Sequence, residues 1–137
     1  MPIKYCPRPR TVLLCDHGAG GFQPPEMVKR RPVIVIVARP PHRDNLATVV
    51  PLSATPPLRP VGYQCRLTLD TPLPAPFDAP EVWVKADMLA TVSLARLDFF
   101  REARDAAGRR RHPANLRVSE AQFAEVMACV GRALDLR

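Results

Sequence analysis

Prolines interrupt this sequence at short intervals and leave only short apolar runs between them. The chain of 137 residues contains 17 prolines. Because proline removes a backbone donor and ends helices, this spacing argues against an all-helical bundle. Five of the intervening runs are apolar or alternate between apolar and polar residues, as strands do. We therefore predict strands over residues 11–15, 32–39, 46–53, 63–69 and 81–86.

These strands and one C-terminal helix predict a mainly β (α+β) fold. Short strands with connections rich in proline and glycine are typical of a small barrel, here of about five strands, or of two packed sheets. The uninterrupted apolar run over 33–38 indicates a central, buried second strand. Pro51 suggests an edge position or a bulge in the third strand.

The C-terminal region predicts an amphipathic helix. Ser119 and Gln122 have the spacing of a capping box. The apolar stripe that follows consists of Phe123, Val126, Met127, Val130 and Leu134. Before this helix, residues 93–97 (SLARL) predict one helical turn capped by Ser93, and Gly108 favours a hairpin over residues 99–111. No repeat or composition shift divides the chain, so we predict a single domain over residues 1–137.

The chain is basic, with a formal net charge of +7 and a pI of about 9.9. This charge indicates a polyanionic partner. The cysteines form no CxxC pair and no histidine lies near them at finger spacing, so we expect free, mostly buried thiols and neither a metal nor another cofactor. They are Cys6, Cys15, Cys65 and Cys129. The longest apolar run is far too short to cross a membrane, so we expect a cytoplasmic protein with no membrane partner.

A carboxylate and a basic triplet precede the second strand. Arg31 stands directly before Pro32, which favours an extended backbone and would place the guanidinium at the mouth of that strand. A guanidinium pairs bidentately with phosphate, and a nearby carboxylate such as Glu26 can move a proton. These residue types would suit catalytic roles for Arg31 and Glu26 and substrate binding by Lys29 and Arg30, and the residues alone do not select this reading. The alternative is a solvated, charged loop.

Hydroxyls and charges also follow the third and fifth strands. Ser53 and Thr55 are placed to donate to a phosphate oxygen, or else to cap a turn. Lys85 and Asp87 are two positions apart and would share one face of a strand, as substrate contacts or as a surface ion pair. The histidines stand singly and are predicted to be solvated loop residues: His17, His42 and His112.

Three blocks of this sequence, in this order, resemble the MazF/PemK family of toxins from bacterial toxin–antitoxin systems. EMVKRRPVIVI resembles the family's glutamate and Arg-Pro followed by a hydrophobic strand. TVVPLS resembles its strand ending in a hydroxyl residue, and KADMLATVSLARL resembles its Asp-Gln-hydrophobic block. TVLLCD is similar to the first strand of the family and the terminal helix to its last element, so the resemblance covers most of the chain.

The resemblance implies a fold, an activity and partners. The fold would be an SH3-like barrel with short helices, and the protein a homodimeric, metal-independent endoribonuclease acting on single-stranded RNA. By position, Arg31 corresponds to the family's functional arginine and Ser53 to its strand-end hydroxyl. Glu26, Lys85 and Asp87 correspond to positions implicated in some members, with either carboxylate as the base. A cognate antitoxin with an acidic, disordered segment is the implied protein partner.

The sequence departs from the family pattern at several points. Ser53 replaces the commoner threonine, Met88 replaces a glutamine, and segments 70–80 and 99–116 are long. Two alternative functions remain open at this stage. A gyrase-poisoning CcdB-like toxin would need no catalytic arginine, which the Arg31–Pro32 pair disfavours. A non-catalytic nucleic-acid-binding barrel would stack bases on aromatic residues, of which this chain has few beyond Trp83, Tyr63 and the phenylalanines.

Overall fold

Strands make up most of the regular structure in the computed structural model, which describes residues 3, 7–18, 24–25, 29–37, 45–100, 107–108 and 116–136. The strands in these ranges are β1 Val12–Asp16, β2 Arg30–Val37, β3 Leu46–Ser53, β4 Gln64–Thr68, β5 Glu81–Lys85, β6 Ala90–Ser93 and β7 Leu97–Asp98. The helix α1 spans Glu120–Ala133, and two 3₁₀ helices span Ala86–Met88 and Leu94–Arg96. The five predicted strands and the terminal helix are confirmed to within about two residues at each end.

The two short strands β6 and β7 are missing from the sequence-based prediction. They flank the 3₁₀ helix Leu94–Arg96, which confirms the predicted helical turn, since the Ser93 Oγ accepts a hydrogen bond from the Ala95 N–H at 3.2 Å. Strands of four and two residues are too short to show a period, so only their pairing with β3 and β1 defines them. The predicted hairpin over 99–111 falls largely outside the described residues.

The strands follow the order β4-β5-β3-β2-β1-β7, with β6 paired to β3, and each of these pairs is antiparallel. The strand β3 is central, because it pairs with β2 on one side and with β6 and then β5 on the other. The expected edge position of Pro51 is therefore wrong. Proline is accommodated at this point because β3 changes there from partner β6 to partner β5.

The mainly β class is confirmed, although the described strands form an open path and not a closed barrel. The strands β4 and β7 are the two ends of that path. A register irregularity lies in β2 between Val35 and Val37, opposite β3. The two faces of the sheet are covered by different apolar clusters.

Two apolar clusters cover these faces. The first, which we call the helix-side core, joins the sheet to α1 and includes Val12, Leu14, Ile34, Ile36, Val50, Leu52, Val84, Val126, Cys129 and Val130. The second, the far-side core, consists of Ile3, Leu13, Cys15, Val33, Val35, Ala47, Val49, Val92, Leu94 and Leu97. Successive residues of β2 enter alternate clusters, which confirms its predicted central burial.

The helix α1 begins with the predicted capping box. The Ser119 Oγ accepts from the Gln122 N–H at 3.1 Å, and the Gln122 Oε1 accepts from the Ser119 N–H at 3.1 Å. The Gln122 Nε2 also donates to the Thr68 carbonyl, which ties the start of the helix to β4. Of the predicted stripe, Met127 and Leu134 are exposed and do not enter the core. No helix among the described residues is long and apolar enough to span a membrane.

The long segment 70–80 contributes to the helix-side core. Leu73 is buried there, and Phe77 packs edge-on against Phe100 with ring centroids 5.8 Å apart. This segment therefore serves packing.

The described cysteines are free, as predicted. Burial raises the pKa of Cys15 to about 11 and is the main reason that the pKa of Cys65 rises to about 12. Both thiols therefore stay protonated near neutral pH, where they are poor nucleophiles. Cys6 lies outside the described residues.

Candidate active site

Arg31 and Ser53 lie on neighbouring strands at the same end of the sheet. Arg31 is the second residue of β2 and pairs with Cys15 of β1. In the β2–β3 ladder Val33 faces Pro51, and continuing this antiparallel register by two residues puts Arg31 opposite Ser53. Paired residues project from the same face. The sheet therefore brings both predicted catalytic side chains to the face that carries the far-side core.

The side chain of Arg31 is half-buried, and its Nε is shielded from water. Within the described residues this Nε has no hydrogen-bond partner. A buried donor without an acceptor is costly, and the guanidinium stays charged at every physiological pH. Arg31 therefore keeps unused donor capacity that an anionic ligand could satisfy.

Lys85 reaches the same region from β5. Its register partners place it on the face of Arg31 and Ser53, and its Nζ donates to the Gln64 Oε1 at 2.7 Å. Burial lowers the pKa of Lys85, the positive charge of Arg31 lowers it further, and the negative charge of Asp87 opposes both. The charge of Lys85 is therefore within range of the charges of both Arg31 and Asp87.

Asp87 does not lie on a strand, contrary to the argument that gave it a shared face with Lys85. The strand β5 ends at Lys85, and Asp87 is the exposed middle residue of the 3₁₀ helix Ala86–Met88. The backbone turns here because the Leu89 N–H bonds to the Ala86 carbonyl. Asp87 thus stands at the rim of the site, open to water and to a ligand.

Ser53 ends β3 and is buried, with 6% of its surface exposed. Its Oγ accepts a hydrogen bond from the Thr55 N–H at 3.1 Å, so it does cap the turn that follows the strand. A hydroxyl that accepts one bond can still donate its own hydrogen. Ser53 can therefore hold the turn and also donate to a ligand, while Thr55 is exposed just beyond the strand.

The other two residues of the basic triplet that precedes the apolar run of β2 are arranged differently from Arg31. Lys29 and Arg30 are both exposed. Arg30 pairs with Asp16 at the start of β2 and, by strand alternation, projects from the face opposite to Arg31. Glu26 lies outside the described residues. The structure thus brings together Arg31, Ser53, Lys85 and Asp87.

His17 is a residue that the sequence-based prediction misjudged. It is not a solvated loop residue, since only 1% of its surface is exposed. Its Nδ1 lies 3.1 Å from the Lys29 carbonyl, which can only accept, so Nδ1 carries the proton. Burial lowers the pKa of His17, and the charges of Arg96 and Arg31 lower it further, against opposing effects of the Lys29 carbonyl and Asp16. The other two histidines lie outside the described residues.

The position of His17 follows from the strand period. Leu13, Cys15 and His17 are two residues apart along the chain. The alternation that places Leu13 and Cys15 in the far-side core therefore also buries His17 on that face. That period was the available signal. By holding the Lys29 carbonyl, His17 fixes the backbone two residues before Arg31 and so helps to position the guanidinium.

Arg96 is a further cation that the sequence did not assign to the site. It belongs to the 3₁₀ helix Leu94–Arg96. Its charge opposes the rise that burial causes in the pKa of Cys15, and it adds to the fall that burial causes in the pKa of His17. Cys15 is the register partner of Arg31. The site is therefore positively charged from several directions, and it can attract and hold a phosphate-bearing ligand.

Sequence comparison assigns a family and a relative to the chain. A family model described as the PemK-like, MazF-like toxin of type II toxin–antitoxin systems matches residues 8–134. An uncharacterized protein from Haemophilus influenzae is 31% identical over 108 residues, which cover 71% of this chain and 73% of that protein.

Three solved structures are similar in fold. An endoribonuclease in complex with its cognate antitoxin, from a mycobacterial species, matches with a TM-score of 0.62 and 18% identity over 96% of this chain and 97% of that chain. The Mycobacterium tuberculosis toxin MazF-mt6 gives 0.57 and 19%, over 93% and 99%. The MazE–MazF structure from Deinococcus radiodurans gives 0.55 and 18%, over 98% and 100%.

Proposed function

Because this chain belongs to the family of PemK-like, MazF-like toxins of type II toxin–antitoxin systems, we propose that it is a metal-independent endoribonuclease that cuts single-stranded RNA in the cytoplasm. The observation that carries the proposal is the shielded Nε of Arg31, which has no acceptor among the described residues and lies on the strand next to the Ser53 hydroxyl. A guanidinium and a hydroxyl on the same face of neighbouring strands suit the oxygens of a phosphodiester.

The proposed reaction is attack of a ribose 2′-oxygen on the adjacent phosphorus. The 2′-hydroxyl proton goes to a base, the P–O2′ bond forms, and the P–O5′ bond breaks as the departing 5′-oxygen takes up a proton that Arg31 helps to deliver and then regains from solvent. The products are a 2′,3′-cyclic phosphate and a 5′-hydroxyl. Arg31 stabilises the doubly charged phosphorane, and Ser53 donates to the same oxygens. These residues supply the charge stabilisation that a metal ion would otherwise provide.

The base is one of two carboxylates. Asp87 stands at the rim, with Lys85 close enough for their charges to interact. Glu26 precedes the basic segment in sequence. Lys85 supports the site as a second cation, while Lys29, Arg30 and Thr55 are proposed to bind flanking parts of the RNA from the exposed rim.

A cleavage assay tests the proposal directly. Wild-type protein and Arg31→Ala are each incubated with a long single-stranded RNA in excess EDTA. We expect fragments ending in 2′,3′-cyclic phosphate from the wild type alone. RNA that stays intact but shifts on a gel with wild-type protein would contradict cleavage and favour a non-catalytic nucleic-acid-binding protein.

The base is assigned by comparing pH–rate profiles of Asp87→Asn and Glu26→Gln. Loss of the acidic limb in one variant identifies that carboxylate as the base. A normal acidic limb in both variants would mean that neither residue takes the proton.

We further propose a homodimer and a cognate antitoxin with an acidic, disordered segment. The net charge of +7 supports an acidic partner, and one of the similar folds is that of an endoribonuclease in complex with its cognate antitoxin. Such an interaction weakens with salt because mobile ions screen the charges. Affinity measured by calorimetry at low and high salt tests this, and an unchanged affinity would argue against the electrostatic part.

A further inference from the structure

A tryptophan and an arginine continue the Arg31–Ser53 row across the rest of the sheet. Ser53 of β3 pairs with Trp83 of β5, and Trp83 pairs with Arg66 of β4. Antiparallel partners project from one face. The row Arg31, Ser53, Trp83, Arg66 therefore lies on the face of the sheet opposite to α1.

Trp83 is close to the proposed reaction centre. Neighbouring strands are about 4.8 Å apart, so the Trp83 backbone lies about 5 Å from that of Ser53 and about 10 Å from that of Arg31. A phosphate held by Arg31 and Ser53 would therefore place an adjoining nucleotide over Trp83.

The side chains next to Trp83 leave the indole accessible and the region cationic. Trp83 is half-buried although it belongs to neither apolar core. The Arg66 side chain is 59% exposed, and its Nη1 makes a loose ion pair with the Glu81 Oε2 at 3.7 Å. Such exposed pairs contribute little and open readily. Lys85, two residues along β5, adds a second cation on the same face.

An aromatic ring between cations matches the chemistry of an unpaired nucleotide. Bases of single-stranded nucleic acid stack on aromatic side chains irrespective of sequence, while arginine and lysine follow the phosphates. A base paired within a duplex cannot present its face in this way. A purely phosphate-binding surface would have no use for an indole at this position.

We propose that Trp83 is the stacking platform for a base next to the scissile phosphate, and that Arg66 binds the phosphate on its far side. This inference rests on the proposed ribonuclease function and names the determinant by which that site selects single strands. Trp83 and Arg66 are binding residues, and neither takes part in the chemistry.

The test uses the fluorescence of Trp83, which is the single tryptophan of the chain. The full-length protein is titrated with single-stranded 2′-O-methyl RNA, which lacks the attacking hydroxyl and stays uncut. Binding is followed in parallel by anisotropy of an end label. We expect stacking to quench the tryptophan emission along the same isotherm as the anisotropy.

Two sets of variants test the aromatic ring of Trp83 and the positive charge of Arg66 separately. We expect Trp83→Leu to weaken RNA binding about tenfold, and Trp83→Phe to recover part of this loss. The matched control is Phe99→Leu, an exposed aromatic beyond β7 at the other edge of the sheet, which should change affinity less than twofold. Arg66→Gln should weaken RNA binding and lower its salt dependence. Its matched control is Arg8→Gln, before β1, which removes one charge at the other end of the strands.

Each outcome decides something. Anisotropy that rises without quenching of the tryptophan emission, or normal RNA affinity in Trp83→Leu, overturns the stacking role of Trp83. In either case, cleavage of ordinary RNA by the wild type still supports the ribonuclease proposal. Quenching by the 2′-O-methyl RNA, together with no cleavage of ordinary RNA of the same sequence by the wild type, overturns the ribonuclease proposal and leaves Trp83 as a base-stacking residue of a non-catalytic RNA-binding site. If Trp83→Leu loses antitoxin binding or changes oligomeric state and keeps RNA affinity, the face binds protein and the inference is wrong. Should Trp83→Leu not fold, the wild-type quenching and Trp83→Phe decide.

Discussion

Replacing Arg31 by methionine should make the protein more stable and almost inactive. The substitution keeps an unbranched apolar stem of similar length and removes the guanidinium. In the folded protein the Arg31 Nε is shielded from water with no acceptor among the described residues, and the charge of Arg31 opposes protonation of Lys85 and His17. Both effects disfavour the folded state, so both are relieved by the change.

The magnitude follows from the unsatisfied donor. Leaving a buried polar group without a partner costs about 1–3 kcal/mol, and the lost contacts of the outer side chain offset part of that. We expect Arg31→Met to raise the free energy of unfolding by about 1 kcal/mol. With a urea slope of about 2 kcal/mol/M, the midpoint moves up by about 0.5 M. Removing one preorganised donor should lower the cleavage rate about 10²–10³-fold.

The assay is urea denaturation followed by circular dichroism, at one fixed protein concentration because a dimer would make stability concentration-dependent. Arg66→Met is the matched control. Its arginine lies on the same face but is exposed, so its stability should change by less than about 0.5 kcal/mol. A destabilised Arg31→Met would show that the guanidinium is well satisfied in the folded protein. Cleavage within tenfold of the wild type would remove Arg31 from the mechanism.

Substitutions at three further positions test other parts of the structure. Ser53→Ala should lower the cleavage rate about 10²-fold or more while Ser53→Thr stays within about tenfold, because only the latter keeps a hydroxyl donor; equal rates on a fluorogenic RNA would refute this. The unfolding free energy should fall as pH drops below the ordinary histidine pKa of 6.5, since His17 takes up a proton more readily in the unfolded chain. His17→Phe should flatten that slope in urea titrations at pH 5 and 7.5, and an unaltered slope would contradict it. Ser119→Ala should cost about 1 kcal/mol and Ser119→Asp should restore most of it; a neutral Ser119→Ala would mean that the capping box contributes nothing.

Local patterns were sufficient for much of this fold. The five main strands are predicted by short apolar runs between prolines, and the helix is predicted by its capping box and its 3.6-residue period. The position of Arg31 at the start of a buried strand follows from the proline directly after it. These features depend on a residue's immediate neighbours, so they can be read without knowledge of the tertiary structure.

The site required the tertiary structure because its members are joined by strand pairing. Arg31, Ser53 and Lys85 are far apart in sequence, and only the ladders among β2, β3 and β5 bring them to one face. The same pairing assigns Trp83 to that face, although its sequence context resembles any half-exposed strand.

Three residues have positions that their sequence neighbours do not predict. The loop sequence after His17 predicts a solvated side chain, yet the register of β1 buries it. The sequence predicts a strand position for Asp87, but β5 ends two residues earlier. For Pro51 the sequence predicts an edge position or a bulge, because it cannot show that β3 pairs with β6 before this point and with β5 after it. The sequence alone determined which segments form strands and helix, since that depends on near neighbours. Only the tertiary structure decided which side chains meet, since that depends on pairings across tens of residues.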